Sequence, residues 1–180
     1  MHRSTRQAAR VLLVGPGPSV LLVGGRDPTV TGAQEFWIVP GGGTAPGESP
    51  EAAARRELWE ETGLALGSLG EVAWERRVEF DFAGEHYNQY EYFFVLRHDL
   101  FAPVPAQLTV DEVTWVTRTR WWPVSELEST GVDVHPPELA KLVRQWMTYG
   151  APPRPVRIDA MSTEPDPATE PDPAAPATEP

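Results

Sequence analysis

The stretch that decides the fold runs from Gly42 to Leu64 and reads GGTAPGESPEAAARRELWEETGL. Ser49 is a good helix N-cap, and Pro50 suits the first helical position. Gly63 can adopt the left-handed conformation that ends many helices. The stretch therefore predicts a helix over residues 50–62.

Three glutamates of this helix, Glu57, Glu60 and Glu61, are predicted to lie within an arc of about 100° on one face. Like charges three and four residues apart destabilise a helix by about 0.2–0.5 kcal/mol per pair. A bound divalent cation would remove this repulsion. Mg²⁺ prefers oxygen ligands and is commonly shared between protein carboxylates and substrate phosphates, so the pattern indicates a metal site that acts on phosphate.

The order and spacing of these residues resemble a complete Nudix box. Gly42 is followed after five residues by Glu48, and after seven more by the run from Arg56 to Leu64. The resemblance implies an α/β fold, an α/β/α sandwich around a mixed central β-sheet. It also implies a hydrolase that uses Mg²⁺ or Mn²⁺ and water to split a nucleoside diphosphate linked to another group.

Site residues are carried over position by position. Arg56 matches the arginine that orients the first metal-binding glutamate, so Arg56, Glu57 and Glu61 are the expected catalytic residues. Glu48 matches a supporting carboxylate, although helix and loop stability alone would equally explain it. The expected metal ligands are the Gly42 carbonyl, Glu57, Glu60 and Glu61.

Three residues outside the box are further candidates, each with an ordinary structural alternative. Arg26 follows a predicted strand and could contact a phosphate, or it is a surface cation. Trp37 lies just before the three consecutive glycines at 41–43, here called the glycine run, and could stack on a base, or it belongs to the core. Glu112 could be an extra ligand or the general base, or it is a solvated carboxylate beside Asp111.

The expected chemistry is attack by water, with Glu57, Glu61 or Glu112 accepting its proton. Within the enzyme class, a pyrophosphatase that removes oxidised nucleoside triphosphates competes with an ADP-ribose or nucleotide-sugar pyrophosphatase. From another class, a Nudix-type module could bind a nucleotide without cleaving it. The sequence leaves the substrate open.

Composition narrows the partners and the compartment. The chain has 180 residues, 41% of them hydrophobic, and a net charge of −11. That charge argues against binding to a nucleic-acid polymer or an anionic membrane, so a small-molecule substrate is expected. The absence of cysteine excludes a thiolate site and favours the reducing cytoplasm. Dimers are common in similar proteins, which makes a homodimer a candidate assembly, but the sequence leaves the oligomeric state open.

The remaining pattern predicts mostly strands around this helix. Hydrophobic runs and turn residues predict a hairpin over 11–14 and 20–23, a strand over 35–39, a second hairpin over 71–82 and 86–97, a strand over 113–122 and one helical turn over 125–127. Apolar residues at helical spacing predict a helix over 137–148. Nine of the twenty prolines fall after residue 150. We therefore expect a hydrolase domain over residues 1–150 and a disordered, proline-rich, acidic tail over 151–180.

Overall fold

A mixed β-sheet organises the computed structural model, which describes residues 5–158. Over that range the strands are β1 (Arg6–Gly15), β2 (Ser19–Gly25), β3 (Phe36–Ile38), β4 (Gly41–Gly43), β5 (Val72–Phe82), β6 (Glu85–Arg97), β7 (Val116–Pro123), β8 (Asp133–His135) and β9 (Val156–Arg157). The helices are α1 (Pro50–Thr62), α2 (Val110–Trp115), α3 (Val124–Ser129) and α4 (Leu139–Tyr149).

Strand β1 is the centre of this sheet. Along one edge it pairs in parallel with β6, which continues through β5 to the short strand β9. Its other edge is shared, because the first half pairs with β4 and the last two residues pair with β2. Strand β2 in turn pairs with β7 and β3, and β8 pairs in parallel with β3. The glycine strand β4 is therefore held directly against the central strand.

Both faces of β1 are buried, which explains why its sequence is almost continuously apolar. Because side chains alternate along a strand, Ala9, Val11 and Leu13 pack toward α1, while Leu12 and Val14 point into the core on the opposite face. That opposite core includes three buried residues of α4, which are Leu139, Leu142 and Val143. The α/β/α sandwich with a mixed sheet is thus confirmed. Among the described helices, none has the length and apolar character needed to cross a membrane.

Most predicted elements are present, with one difference that matters for the site. Helix α1 has the predicted bounds, and α4 covers 139–149 where 137–148 was expected. The prediction of a strand over 113–122 was wrong at its start, since Val113–Trp115 belongs to α2. Thr109 and Glu112 form a capping box there, and this local hydrogen bonding outweighs the β-branched character of the segment.

The predicted domain boundary at residue 150 falls short of the folded region. Residues 156–157 form β9 beside β5, and Ile158 is only 3% exposed in the core below α4. Residues 151–158 therefore belong to the fold. The rest of the predicted tail, residues 159–180, lies outside the described residues.

Candidate metal centre

Helix α1 begins and ends as its sequence predicts. The Ser49 hydroxyl accepts a hydrogen bond of 3.2 Å from the Ala52 amide at the N-terminus. At the other end, Gly63 has a φ of 76° and its amide donates to the Trp59 carbonyl at 2.8 Å. These two ends set the length of the helix, and the packing of Ala53, Ala54 and Leu58 against β1 sets which glutamates face the sheet.

Three carboxylates from two helices meet at the inner side of α1. One ligand atom from each of Glu57, Glu61 and Glu112 lies within 4.8 Å of the others. Glu57 and Glu61 are only 6% and 1% exposed, whereas Glu112 is half-buried. We call these three residues the carboxylate cluster.

Burial makes the charge of this cluster costly. It raises the pKa of Glu61 to about 8, even though the Gly41 amide donates a hydrogen bond of 2.8 Å to Oε2 of Glu61. Burial also raises the pKa of Glu57, and the ion pair with Arg56 opposes that shift. Two buried glutamates with elevated pKa values and a third carboxylate nearby are typical of a site that gains a compensating cation.

Arg56 connects the helix to the loop before it. Its Nη1 donates to Oε1 of Glu57 at 2.7 Å and to Oε2 of Glu60 at 3.3 Å. Its Nε and Nη2 each donate to Glu48 at 2.9 Å, and Nη2 also reaches the Gly43 carbonyl at 3.0 Å. The guanidinium lowers the pKa of Glu48. Arg56 thus bonds to both Glu57 and Glu48. The orienting role of Arg56 and the supporting role of Glu48 stay predictions.

The glycine run allows β4 to lie directly on the carboxylates. Gly41 has a φ of +138°, and a Cβ there would lie 2.1 Å from the Ala9 carbonyl oxygen. At Gly42 a Cβ would lie 2.6 Å from the carboxyl carbon of Glu57. Only glycine fits both positions, because β1 lies beside one and the Glu57 carboxylate beside the other.

Helical spacing grouped Glu60 with Glu57 and Glu61 and left Glu112 as a separate candidate, but the carboxylate cluster contains Glu112 and lacks Glu60. Glu112 is supplied by α2, where its Oε2 accepts hydrogen bonds from the amide and hydroxyl of Thr109 at 2.7 and 2.8 Å. Glu60 is paired with Arg56 and lies outside the carboxylate cluster. The roles of Glu60 and of the Gly42 carbonyl as ligands stay predictions.

The two remaining candidates are not brought into the cluster. Trp37 is only 2% exposed, packs edge-on against Trp122 at 4.8 Å and has Arg118 over its ring at 5.3 Å. This corrects the expectation that Trp37 stacks on a base, because its ring is enclosed by the core. Arg26 is exposed, and its amide bonds to the Trp115 carbonyl at the end of α2, so its contact with a phosphate stays a prediction.

Sequence reasoning missed the polar residues that lie behind the glycine run. Arg10 bonds to the carbonyls of Val39 and Gly41, and its Nε donates to Glu91 at 2.8 Å. A signal was present, since Glu91 and Gln89 lie at every second position before the buried Phe93 and so had to point inward.

The cluster suits a hard divalent cation. Arg56 uses Oε1 of Glu57 and the Gly41 amide uses Oε2 of Glu61, so each carboxylate keeps a second oxygen for a ligand. All donor atoms are oxygens, as Mg²⁺ and Mn²⁺ prefer, and described residues offer no cysteine to favour a softer metal. The buried negative charge and the donor set therefore fit the ion that the resemblance implies.

Two relatives named RNA pyrophosphohydrolase share parts of this sequence. The protein of Proteus mirabilis (strain HI4320) is 32% identical over 115 residues, which cover 57% of this chain and 65% of that protein. That of Brucella ovis is 43% identical over 61 residues, which cover 34% of this chain and 33% of that protein. The chain thus spans less than two thirds of the length of these relatives.

Solved structures share the fold at low identity. A MutT NUDIX hydrolase from Burkholderia pseudomallei has a TM-score of 0.54 at 20% identity and covers 79% of this chain and 98% of its own. An ADP-ribose pyrophosphatase from Streptococcus suis 89-1591 has a TM-score of 0.56 at 13% identity, with 86% and 99% covered. The NUDIX domain model matches residues 4–149, which include both helices of the carboxylate cluster. This chain therefore belongs to the NUDIX domain family.

Proposed function

We propose that this protein is a Mg²⁺-dependent hydrolase that splits a pyrophosphate bond in a small nucleotide or nucleotide derivative. The observation that carries the proposal is the carboxylate cluster, in which oxygens of Glu57, Glu61 and Glu112 lie within 4.8 Å of one another on a NUDIX domain. When bound there, a divalent ion would neutralise charge on the diphosphate and make an attacking water more acidic.

The protein groups have separable roles in this proposal. Glu57 and Glu61 hold the cation, and Glu112 completes its carboxylate set from the other helix. Arg56 keeps Glu57 oriented and favours its ionised form through the 2.7 Å ion pair. A carboxylate of the cluster accepts the proton of the attacking water, since carboxylates are the titratable groups that the site offers for this step.

Three substrate classes are candidates, two from the sequence resemblance and one from the relatives named RNA pyrophosphohydrolase. They are a nucleoside triphosphate, ADP-ribose or another nucleotide sugar, and an RNA with a terminal pyrophosphate bond. The net charge of −11 disfavours the last class, because polymer binding depends on releasing counterions from a basic surface. We therefore propose a small nucleotide as the substrate, the cytoplasm as the compartment and a homodimer as a candidate assembly.

The decisive experiment is a product analysis by mass. The purified chain is incubated with Mg²⁺ and, separately, a nucleoside triphosphate, ADP-ribose, a nucleotide sugar and a 5′-triphosphorylated oligoribonucleotide in ¹⁸O-labelled water. We expect one class to yield a nucleoside monophosphate product and one ¹⁸O atom on phosphorus. EDTA should stop the reaction.

Matched variants separate catalysis from binding. Glu57→Gln and Glu61→Gln preserve side-chain shape, and each should reduce turnover by more than the ~100-fold that losing an outer-shell partner of a metal typically costs. Circular dichroism should show an intact fold. If wild-type protein binds nucleotides but cleaves no member of the panel with Mg²⁺ or Mn²⁺, the domain is a binding module and the proposed hydrolysis is wrong.

A further inference from the structure

A buried ion cluster lies behind the glycine run, on the side of β1 away from α1. Glu91 is 1% exposed and accepts hydrogen bonds from Nε of Arg10 at 2.8 Å, from Nε of Arg76 and from Gln89 at 2.9 Å. The Arg10 and Arg76 side chains are 12% and 13% exposed. Replacing such a buried cluster by apolar residues is often neutral or stabilising, so stability alone does not account for charges at this place.

Arg10 reaches from this cluster to the backbone beside the metal centre. Its Nη1 donates to the Val39 carbonyl at 3.1 Å and to the Gly41 carbonyl at 2.8 Å. These two carbonyls flank the peptide group that joins Pro40 to Gly41. Arg10 therefore holds the chain on both sides of that single peptide.

The peptide between Pro40 and Gly41 is the group that contacts Glu61. Its carbonyl accepts a hydrogen bond from the Val11 amide at 2.8 Å, and its N–H donates to Oε2 of Glu61 at 2.8 Å. Because Gly41 has a φ of +138°, this peptide could rotate away if its neighbours were not fixed. The orientation of this peptide is thus set by the Val11 amide at its own carbonyl and by Arg10 at the carbonyls on either side.

We infer that Arg10, held in place by Glu91, is a positioning residue for the metal centre that aims the Gly41 amide at Glu61. Arg56 orients Glu57 directly, through a side-chain ion pair. Arg10 orients Glu61 indirectly, through the backbone. The inference rests on the proposed function, because the geometry of Glu61 matters to the extent that its carboxylate binds a cation.

Arg76 provides a matched control for this role. It bonds to the same carboxylate as Arg10 and is almost equally buried, so removing either arginine leaves Glu91 with one arginine partner. Arg76 lies on β5 and stands over the Phe93 ring at 5.8 Å. Within residues 5–158, Arg76 makes no hydrogen bond to the backbone of residues 39–41, whereas Arg10 makes two. If the cluster had only a structural role, loss of either arginine would change metal binding to a similar extent.

The test measures Mn²⁺ binding to the full chain without substrate, by electron paramagnetic resonance, for wild type, Arg10→Met and Arg76→Met. We expect both variants to melt at a lower temperature in EDTA. Arg10→Met should bind Mn²⁺ about 10- to 100-fold more weakly, as is typical when an outer-shell partner of a metal ligand is lost. Arg76→Met should bind it as wild type does.

Three outcomes would overturn part or all of this. If wild-type protein binds no Mn²⁺, the proposed metal centre is wrong and the inference falls with it. If wild type binds Mn²⁺ and Arg10→Met binds it equally well, the positioning role is wrong while the proposed function stands. Equal weakening in Arg76→Met and Arg10→Met would likewise assign the cluster to general stability.

Arg10→Lys serves if Arg10→Met does not fold. Lysine keeps the charge and most of the buried stem of arginine. It has a single nitrogen, whereas Arg10 uses Nε to bind Glu91 and Nη1 to bind the two carbonyls. We expect this variant to fold and to bind Mn²⁺ more weakly than wild type. Wild-type Mn²⁺ affinity in folded Arg10→Lys would contradict the inference.

Discussion

The α-carbon of Gly42 lies directly against the carboxylate of Glu57, so that a Cβ built on this glycine would be 2.6 Å from the Glu57 carboxyl carbon. Arg56 also bonds to that carboxylate at 2.7 Å, so the carboxylate can move aside only by straining or breaking this ion pair. The first glycine of the box is therefore needed for the position of the Glu57 carboxylate as well as for the course of the backbone.

Gly42→Ala should displace the Glu57 carboxylate while leaving the sheet intact. A displacement of about 1 Å at a catalytic group can cost on the order of 100-fold in rate, so we expect a loss of that size in kcat/KM. Gly67→Ala is the control, because a Cβ there meets nothing within 4 Å and Gly67 has no positive φ. Wild-type kinetics in folded Gly42→Ala would show that Glu57 can move without consequence.

Glu112→Gln should impair metal binding more than Glu60→Gln does. Glu112 belongs to the carboxylate cluster, whereas Glu60 is paired with Arg56. Glutamine can replace glutamate in a capping box, so α2 should remain folded in the first variant. The measurement is the Mg²⁺ concentration that gives half-maximal rate. A larger increase for Glu60→Gln would restore the ligand set of Glu57, Glu60 and Glu61 that the sequence predicts.

The ion cluster around Glu91 predicts a specific loss of stability in acid. Burial by itself would raise the pKa of Glu91, but the charges and hydrogen bonds of Arg10 and Arg76 outweigh it and lower the pKa to about 2. Because the folded-state pKa is below the usual value of 4.5, the ionised form stabilises the fold above about pH 4.5. This stability should be lost as the pH falls from about 4.5 to about 2.

Glu91→Gln should remove that contribution at neutral pH, since it leaves two buried arginines without their counterion. Breaking a buried ion pair by removing one partner costs about 3–5 kcal/mol. Urea unfolding at pH 7 and pH 3 measures this loss. The difference in free energy of unfolding between the variant and wild type should be smaller at pH 3 than at pH 7. Glu128→Gln, in the exposed pair with Arg144, is the control and should change little. A pH-independent difference for Glu91→Gln would contradict the low pKa.

Ile158→Ala tests whether the fold extends beyond residue 150. Ile158 is 3% exposed within the core, so its truncation should lower the free energy of unfolding by about 2–5 kcal/mol. Val156→Ala, on the same short strand but 42% exposed, should cost much less. Equal stability of both variants and wild type in urea unfolding would place the end of the domain near residue 150.

Helix α1 and its acidic face could be predicted from the sequence because their causes are local. The Ser49 cap, the Gly63 terminus and the spacing of Glu57 and Glu61 all act within a turn or two of chain. The hairpins were predictable for the same reason. The start of the 113–122 segment was not, since a strand-like composition was overruled by the capping box of Glu112 with Thr109.

The sequence by itself determined the family resemblance and the helix that carries two of the three carboxylates of the cluster. Only the tertiary structure decided that Glu112 rather than Glu60 completes the cluster, that Trp37 is enclosed by the core, and that Arg10 meets a glutamate 81 residues away. The physical reason is that these contacts depend on strand register and helix packing between distant segments. Spacing along the chain reports neighbours within one element and carries no such information about the others.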